Sequence, residues 1–324
     1  MKKTKIVCFG GGTGLSELLK GLKHNPWLDI SAIVTMFDSG GSSRVLKDKL
    51  GILPPGDIFR CVLALTPQEH ERTLRAVFEQ RLKDNHSPGN ICLVGAESTY
   101  DDYQTAIDQM CRMFLVDDRV FPVSVERSNL CAEFTDGSSV QSETEIDRGI
   151  RDGKDVSRLF LKPDVPAHQP ALESIRQADL ICIGPGSFYT SILPNFLPSG
   201  VRYEVSKSTA PVIFIANLLT EGMGMQGYDA RRYLRTLEHY IRRDVSAMVL
   251  NDTIPANLKP EYANEEHKIP ILPPSDWQQA WGIESMFFPA SLWIDGQYAR
   301  HDSVRLANFL WPIAHGKLQL YQRA

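Results

Sequence analysis

Short apolar segments recur along the chain, and each runs into a loop rich in Gly, Asn or Asp. Such segments are typical of buried parallel strands, which are hydrophobic on both faces. The predicted strands are Lys5–Phe9, Ile30–Met36, Val120–Val125, Leu180–Ile183, Val212–Ala216 and Ala247–Leu250. Behind the first strand, leucines follow at the spacing of one helical face: Leu15, Leu18, Leu19 and Leu22. Similar faces occur at Ile58–Leu65 and around Leu234. The pattern predicts a doubly wound, Rossmann-like α/β fold, with a mainly parallel sheet between two helical layers.

One region departs from this alternation. Between about residues 126 and 170 the apolar density falls and acidic residues accumulate. Asp136-Gly137 within it is typical of a tight hairpin turn. We interpret the region as a small excursion inserted into a single domain that spans residues 1–324. The segment beyond residue 255 is rich in Pro and Trp, and its pattern predicts no clear element.

Composition and charge narrow the function classes. The chain has 324 residues, and its 43% hydrophobic content can fill a substantial core, which excludes a disordered protein. Its 35 Lys and Arg against 39 Asp and Glu give a net charge of −4 without a basic stripe, so nucleic acid is not an expected partner.

The apolar run behind the basic Met1–Lys5 segment is too short for a signal peptide, and no run reaches the ~18 residues of a membrane span. We therefore expect a soluble, cytoplasmic protein with no membrane partner. The six cysteines form no CxxC pair, which indicates reduced core thiols.

The first predicted strand runs directly into a glycine loop and then a helix. The loop is Gly10-Gly11-Gly12-Thr13-Gly14. Glycines let the backbone approach a ligand, and the free amides and positive dipole end of the helix attract an anion such as phosphate. The loop matches neither the dinucleotide fingerprint nor a Walker A motif, because Leu15 stands where the fingerprint needs glycine and no Gly-Lys-Ser/Thr follows. A turn that only packs the helix on the strand is the structural alternative.

Two further loops carry polar residues of interest. The second strand ends in Asp38-Ser39-Gly40-Gly41-Ser42-Ser43, where Asp38 is a candidate ligand for a metal or a ribose hydroxyl, and the Ser42 and Ser43 hydroxyls suit phosphate or hydrated Mg²⁺. A turn-forming cap is the alternative role for Asp38. Further along, Asn90 follows His86-Ser87-Pro88-Gly89, and its amide is a candidate for reading a base or sugar edge. Asp57 has the type and position of a helix N-cap residue.

The fourth predicted strand ends in the most distinctive loop, Gly184-Pro185-Gly186-Ser187-Phe188-Tyr189-Thr190-Ser191. Two glycines around a proline can present successive amides as an anion-binding nest, and hydroxyls such as that of Tyr189 follow. Asn217, at the next strand end, is a further candidate. Because parallel sheets bind ligands outside the carboxyl ends of their strands, three such loops predict one crevice for a nucleotide diphosphate derivative. Familiar nucleophile, kinase and metalloprotease motifs are absent, so the sequence leaves binding alone and positional or metal-assisted transfer both open.

The ordered combination of these motifs with the Pro54-Pro55-Gly56-Asp57 run resembles the CofD/YvcK superfamily over about residues 4 to 310. The Gly-Gly-Ser-Ser loop, the Leu-Pro-Pro-Gly-Asp run and Ile192-Leu193-Pro194-Asn195 resemble its gluconeogenesis-factor branch (YvcK, YbhK) more than its 2-phospho-L-lactate transferase branch. Ser39 stands where many members have a second aspartate. The resemblance implies UDP-sugar binding and a role in cell shape and carbon metabolism. It also implies that Tyr262 and Arg300 contact the nucleotide sugar.

The resemblance leaves an alternative open. A phospho-lactate transferase-like enzyme would move a phospho-lactyl group from a GDP-linked or other nucleotide-diphosphate donor to a deazaflavin (Fo) acceptor with Mg²⁺. That reading requires an apolar slot beside the phosphate cradle. A nicotinamide dehydrogenase is disfavoured by the failed fingerprint. No cofactor other than this Mg²⁺ is expected, and the sequence leaves monomer and homodimer open.

Overall fold

The structure is a computed structural model that describes residues 2–37, 53–80, 82, 86–100, 102–275, 286–294 and 299–314. The candidate residues Asp38, Ser42 and Ser43 lie outside the described residues. The strands are β1 (Thr4–Gly10), β2 (Leu28–Val34), β3 (Arg119–Pro122), β4 (Asn129–Phe134), β5 (Ser139–Gln141), β6 (Val156–Lys162), β7 (Leu180–Ile183), β8 (Val212–Ile215), β9 (Ala247–Asn251) and β10 (Met286–Ala290).

The central sheet joins seven of these strands, all paired in parallel, in the order β10-β9-β8-β7-β1-β2-β3. The strand order reverses at the β1/β7 boundary, because the chain leaves β1 toward β2 and returns on the other side as β7. In doubly wound sheets the crevice for a ligand opens at such a boundary. The predicted α/β fold class is confirmed.

All six predicted strands lie in this sheet, and β10 is the strand of this sheet that the sequence pattern missed. It contains Pro289 and forms one edge of the sheet. Proline lacks the backbone N–H that donates a hydrogen bond in a sheet, but it is tolerated in edge strands. A proline therefore argues against a strand when only the sequence is considered, although an edge strand can still form. Five of the six cysteines are buried, in agreement with their expected place in the core.

The described residues also form helices. They are α1 (Gly12–Leu22), α2 (Gly56–Leu65), α3 (Gln68–Phe78), α4 (Pro88–Tyr100), α5 (Tyr103–Met113), α6 (Glu143–Arg151), α7 (Gln169–Arg176), α8 (Val201–Lys207), α9 (Ala230–Ile241), α10 (Glu261–Asn264) and α11 (Ser303–Ala314). The predicted leucine face of α1 is completely buried. Among the described helices, none is long and apolar enough to cross a membrane.

A second, antiparallel sheet lies between β3 and β7 in the chain, in the order β5-β4-β6, and α6 packs against it. Asp136-Gly137 falls in the turn between β4 and β5, where Gly137 has a φ of +82°. This small sheet occupies the part of the chain where the alternation of apolar strands and helices is interrupted.

The first turn of α1 packs directly on the turn that follows β7. A Cβ atom added at Gly14 would lie 2.3 Å from the carbonyl oxygen of Pro185, far inside van der Waals contact. Only a residue without a side chain permits this approach. Gly14 therefore brings together two loops that are about 170 residues apart in the sequence.

We expect the Gly14→Ala variant to lose at least about 2 kcal/mol of unfolding free energy, because its methyl group must displace backbone atoms rather than a flexible side chain. Gly95→Ala is the matched control, since Gly95 lies in α4 with no atom near its added Cβ. The control should gain up to ~1 kcal/mol from helix propensity. Urea unfolding measures the unfolding free energy of both variants. Equal values for Gly14→Ala and Gly95→Ala would contradict the close packing.

Candidate functional site

Two adjoining chambers open at the carboxyl edge of the parallel sheet. The larger chamber has a volume of 720 Å³ and lies among the first turns of α1, α2, α4 and α6. The smaller chamber has a volume of 340 Å³ and lies among α1, the turn after β7, the loop after β8 and residues 299–301. Both chambers share a wall of four residues, which are Thr13, Glu17, Ser187 and Arg300. Each volume falls within the range of small-molecule sites.

Most of the residues predicted for the site meet at these chambers. Those that line one or both are Gly12, Thr13, Gly14, Asn90, Pro185, Gly186, Ser187, Asn217, Tyr262 and Arg300. Gly10, Gly11 and Gly184 are buried beside them without lining either chamber. Two of the three predicted glycine loops therefore converge, and the third, at residues 38–43, lies outside the described residues.

Tyr189 is the predicted site residue that the structure places elsewhere. It belongs to a short π-helical turn, Phe188–Ile192, that directs its ring into the core, where only 2% of the residue is exposed. Its hydroxyl is hydrogen bonded to the hydroxyl of Tyr228, and burial raises the pKa of Tyr189. The hydroxyl-rich sequence suggested a ligand contact, but the turn buries this side chain.

The amides of the first glycine loop are only partly free. The amide of Gly12 donates to Asp57 Oδ2 at 2.6 Å, and Arg60 donates to Asp57 Oδ1 at 3.0 Å. Asp57 does not cap its own helix, because Pro55 is the N-cap residue of α2 and no side chain caps it. Instead it accepts from the first turn of α1, whose own N-cap residue, Gly11, provides no side-chain acceptor. The amides of Thr13 and Gly14 also belong to the first turn and have no acceptor within the helix.

The turn after β7 is held by two polar side chains from the loop that follows β8. The amide of Gly186 donates to Asn217 Oδ1 at 3.1 Å, and the amide of Phe188 donates to Glu221 Oε1 at 2.5 Å. Asn217 Nδ2 also donates to Glu221 Oε1, at 3.0 Å. The protein's own side chains therefore already accept two of the amide hydrogens that the expected nest would offer to an anion. Asn217 stabilises the turn and also lines the smaller chamber.

The larger chamber is strongly charged, and its charges are largely balanced. The lining cations are Lys20, Arg60, Arg75, Arg151 and Arg300, and the lining carboxylates are Glu17, Asp57, Glu79, Glu143 and Asp147. Three ion pairs join members of the two sets: Lys20–Glu17, Arg60–Asp57 and Arg75–Glu79. Within the described part of the chain, Arg151 and Arg300 form no ion pair. The wall common to both chambers therefore carries a guanidinium, that of Arg300, that no described carboxylate pairs with.

Two titratable residues that line the smaller chamber, Glu221 and His301, have strongly shifted pKa values. Burial raises the pKa of Glu221 to about 8, an effect that outweighs the hydrogen bond from Phe188. Burial also lowers the pKa of His301 to about 4, and its Nε2 lies 3.1 Å from the carbonyl oxygen of Ala216. Neither pKa shift could be predicted from the sequence, since burial of a single polar residue in a loop has no periodic signature.

The described residues do not fit a Mg²⁺ site. They contain no cluster of three or more His, Cys, Asp or Glu side chains suited to a metal. Both carboxylate oxygens of Asp57 already accept hydrogen bonds, and Asp38 lies outside the described residues. The expected Mg²⁺ stays a prediction, and we derive no metal-dependent step.

The fold and the chambers define a class of protein: an α/β protein with a charged, ligand-sized cleft at the switch point of a parallel sheet. Within that class, the family model for 2-phospho-L-lactate transferase CofD matches residues 6–280. The chain belongs to the CofD family.

Several relatives carry a more particular name. The gluconeogenesis factor of Halalkalibacterium halodurans is 38% identical over 288 residues, which cover 84% of this chain and 88% of the relative. The gluconeogenesis factor of Bacillus subtilis is 36% identical over 95% of this chain and 98% of the relative. A crystal structure of a UPF0052 family member from Bacillus halodurans superposes with a TM-score of 0.87 at 34% identity, covering 96% of this chain and 99% of that one. The expected similarity to the gluconeogenesis-factor branch is confirmed.

We expect the Glu221→Gln variant to be more stable than the wild type at neutral pH. The folded protein holds the Glu221 proton up to about pH 8, whereas the unfolded chain releases it near the ordinary glutamate value of 4.5. The contribution of Glu221 to the unfolding free energy of the wild type is therefore largest below pH 4.5 and is lost as the pH rises toward 8. The advantage of the variant should grow by about 1.4 kcal/mol per pH unit across this window.

Chemical denaturation of the unliganded proteins at a series of pH values measures this difference. Glu173→Gln is the matched control, because Glu173 is exposed on α7 and the same chemical change there should leave stability unaltered. A Glu221→Gln advantage that stays constant with pH would show that the buried carboxyl is ionised at neutral pH.

Proposed function

We propose that this protein binds a nucleotide sugar of the UDP-sugar type, with the diphosphate at the wall shared by the two chambers. Arg300 carries the proposal, because it is an exposed arginine that lines both chambers and forms no ion pair among the described residues. Guanidinium groups bind phosphate oxygens through paired, charge-assisted hydrogen bonds. The first-turn amides of Thr13 and Gly14 and the side chain of Ser187 surround the same wall and supply further donors.

The two chambers on either side of this wall suit the two ends of such a ligand. The smaller chamber offers Asn217 and Tyr262, and the ammonium of Lys268 lies 5.7 Å from the centre of the Tyr262 ring. The larger chamber offers Asn90 among its charged side chains. Amides and an aromatic face are suited to a base or a sugar, so one chamber receives the nucleoside and the other receives the sugar.

The relatives named gluconeogenesis factor support a regulatory role for this binding. We propose that the protein senses a nucleotide sugar in the cytoplasm and acts on carbon metabolism and cell shape. A strain that lacks the protein should grow poorly on a gluconeogenic carbon source and should be restored by the wild-type chain. An Arg300→Gln chain that folds normally should fail to restore it, and full restoration by that variant would separate the cellular role from diphosphate binding.

Transfer chemistry is the second candidate, and the larger chamber is the observation that favours it. Its 720 Å³ leave room for an acceptor beside the diphosphate. A deazaflavin acceptor is large and flat and needs an apolar slot. Phe59 is the one aromatic residue among the described lining residues, and ten of them are charged. This polarity favours a nucleotide sugar over a deazaflavin.

Thermal-shift and calorimetric titrations distinguish the two candidates. UDP-N-acetylglucosamine at 100 times its dissociation constant should add about 2.7 kcal/mol of stability, while deazaflavin and NAD should leave the melting temperature unchanged. Stabilisation by deazaflavin together with GDP would favour the transferase. Stabilisation by NAD alone would contradict both candidates.

Replacing Arg300 by Gln should weaken binding of UDP-N-acetylglucosamine by about 10-fold to 100-fold, because the diphosphate loses a charged donor worth roughly 1.5–3 kcal/mol. Arg112→Gln is the matched control, since Arg112 is exposed near the end of α5 and lines neither chamber. Calorimetry at low and high salt measures both variants. Equal affinity for Arg300→Gln and Arg112→Gln would remove Arg300 from the site.

A further inference from the structure

Arg300 belongs to a short extended segment that is paired with the residues after β10. Trp293 and His301 form an antiparallel bridge, and the amide of Ile294 donates to the carbonyl oxygen of Arg300 at 3.0 Å. Side chains alternate along an extended segment, and accordingly Arg300 is exposed whereas His301 is buried. The pairing therefore fixes the backbone of Arg300 on one side and leaves its side chain at the surface.

The side chain of His301 anchors this segment to the central sheet. Its Nε2 lies 3.1 Å from the carbonyl oxygen of Ala216. A carbonyl oxygen can only accept, so the proton of this hydrogen bond belongs to Nε2. Ala216 directly follows β8, and its amide donates to the carbonyl oxygen of Val249 in β9 at 3.0 Å. The ring thus connects the residue next to Arg300 to a paired end of the sheet.

The loop after β8 holds both parts of the shared wall. On one side, Asn217 accepts a hydrogen bond from the amide of Gly186 at 3.1 Å, which fixes the turn after β7. On the other side, the neighbouring residue Ala216 accepts from His301, which adjoins Arg300. The hydrogen bond of His301 therefore helps to set where Arg300 lies relative to the turn after β7, and both line the smaller chamber.

A second, longer hydrogen bond holds the other neighbour of Arg300. The amide of Ala299 donates to the hydroxyl of Tyr262 at 3.4 Å, and the amide of Lys268 donates to the carbonyl oxygen of Tyr262 at 2.7 Å. Residues 299 and 301 are thus both held in place, while the side chain of Arg300 forms no ion pair in the described part of the chain. A fixed backbone that carries an unpaired charge is suited to a ligand, because little order remains to be imposed on binding.

We propose that His301 is a positioning residue for the diphosphate, because its hydrogen bond to the Ala216 carbonyl fixes the segment that presents Arg300 at the wall shared by the two chambers. Tyr262 assists from the other side through its hydroxyl. The inference rests on the proposed function and adds to it residues that act through Arg300 rather than by touching the phosphates. Direct contact of His301 with the ligand is the competing explanation, since His301 also lines the smaller chamber.

A double-mutant cycle, measured by calorimetric titration with UDP-N-acetylglucosamine, separates the two explanations. His301→Ala should weaken binding about tenfold, the scale on which the entropy of ordering one backbone residue changes an equilibrium. In an Arg300→Gln background the same substitution should change affinity by less than about twofold, because the group that it positions is gone. His168→Ala is the matched control, since His168 is half-buried, lines neither chamber and should leave affinity unaltered.

The conservative variant His301→Gln tests the hydrogen bond itself, because its side-chain amide keeps an N–H donor for the Ala216 carbonyl. Its affinity should lie within about threefold of the wild-type value. Salt gives a further readout, since attraction between Arg300 and the diphosphate is screened by ions. The affinity of His301→Ala should depend less on salt than that of the wild type, and His301→Gln should follow the wild type.

Tyr262→Phe applies the same test from the other side of the segment and decides the matter if His301→Ala fails to fold. The substitution removes only the hydroxyl that accepts from Ala299 and retains the ring. Binding should weaken about threefold when Arg300 is present and stay unchanged in the Arg300→Gln background. Tyr203→Phe is its control, because Tyr203 is exposed on α8 and lines neither chamber.

The possible results separate this inference from the proposed function. Losses of equal size with and without Arg300, or wild-type affinity for His301→Ala, would overturn the positioning role while leaving nucleotide-sugar binding intact. Equal weakening by His301→Ala and His301→Gln would also overturn it, because the hydrogen bond would then be irrelevant. If UDP-N-acetylglucosamine does not bind the wild type at all, the proposed function fails and this inference fails with it.

Discussion

The contact between the first turn of α1 and the turn after β7 determines where this protein can hold a ligand. β1 and β7 are parallel neighbours, with Cys8 opposite Cys182, so their carboxyl ends reach the same edge of the sheet. The missing side chain of Gly14 then allows the helix backbone to approach the Pro185 carbonyl closely. Loss of this approach would move the first turn of α1 away from the turn after β7, and both turns line the smaller chamber. The fold thus creates one cleft from two distant loops.

The polar groups around that contact divide into those that stabilise the cleft and those left for a ligand. Asp57, Asn217 and Glu221 each accept an amide hydrogen from one of the two loops, and so hold the backbone in place. Their use inside the protein reduces the number of amides open to an anion. Arg300 and Arg151 offset this loss of amide donors, because their guanidinium groups form no ion pair in the described ranges. Under the proposed function, recognition of a diphosphate therefore depends more on side-chain charge than a glycine-rich sequence suggests.

The sequence predicted the features that have a periodic or compositional signature. The apolar strands, the leucine face of α1 and the convergence of residues 10–14 with residues 184–187 all follow from local patterns and from the rule for parallel sheets. The edge strand β10 was not predicted because it contains Pro289, a residue that is rare in strands. Tyr189 was misjudged because a π-helical turn, which has no sequence signature, directs it into the core. The contacts of Asp57 and Glu221 span 45 and 33 residues, and such long-range pairings cannot be deduced from one chain.

The central claim is that a nucleotide sugar lies across the two chambers with its diphosphate on their common wall. A crystal structure of the protein grown with saturating UDP-N-acetylglucosamine tests that claim most directly. Diphosphate oxygens should lie within hydrogen-bond distance of the Thr13 amide and the Arg300 guanidinium, with one chamber holding the nucleoside and the other the sugar. Density for the ligand at another surface, or chambers that hold only water at saturation, would contradict the account.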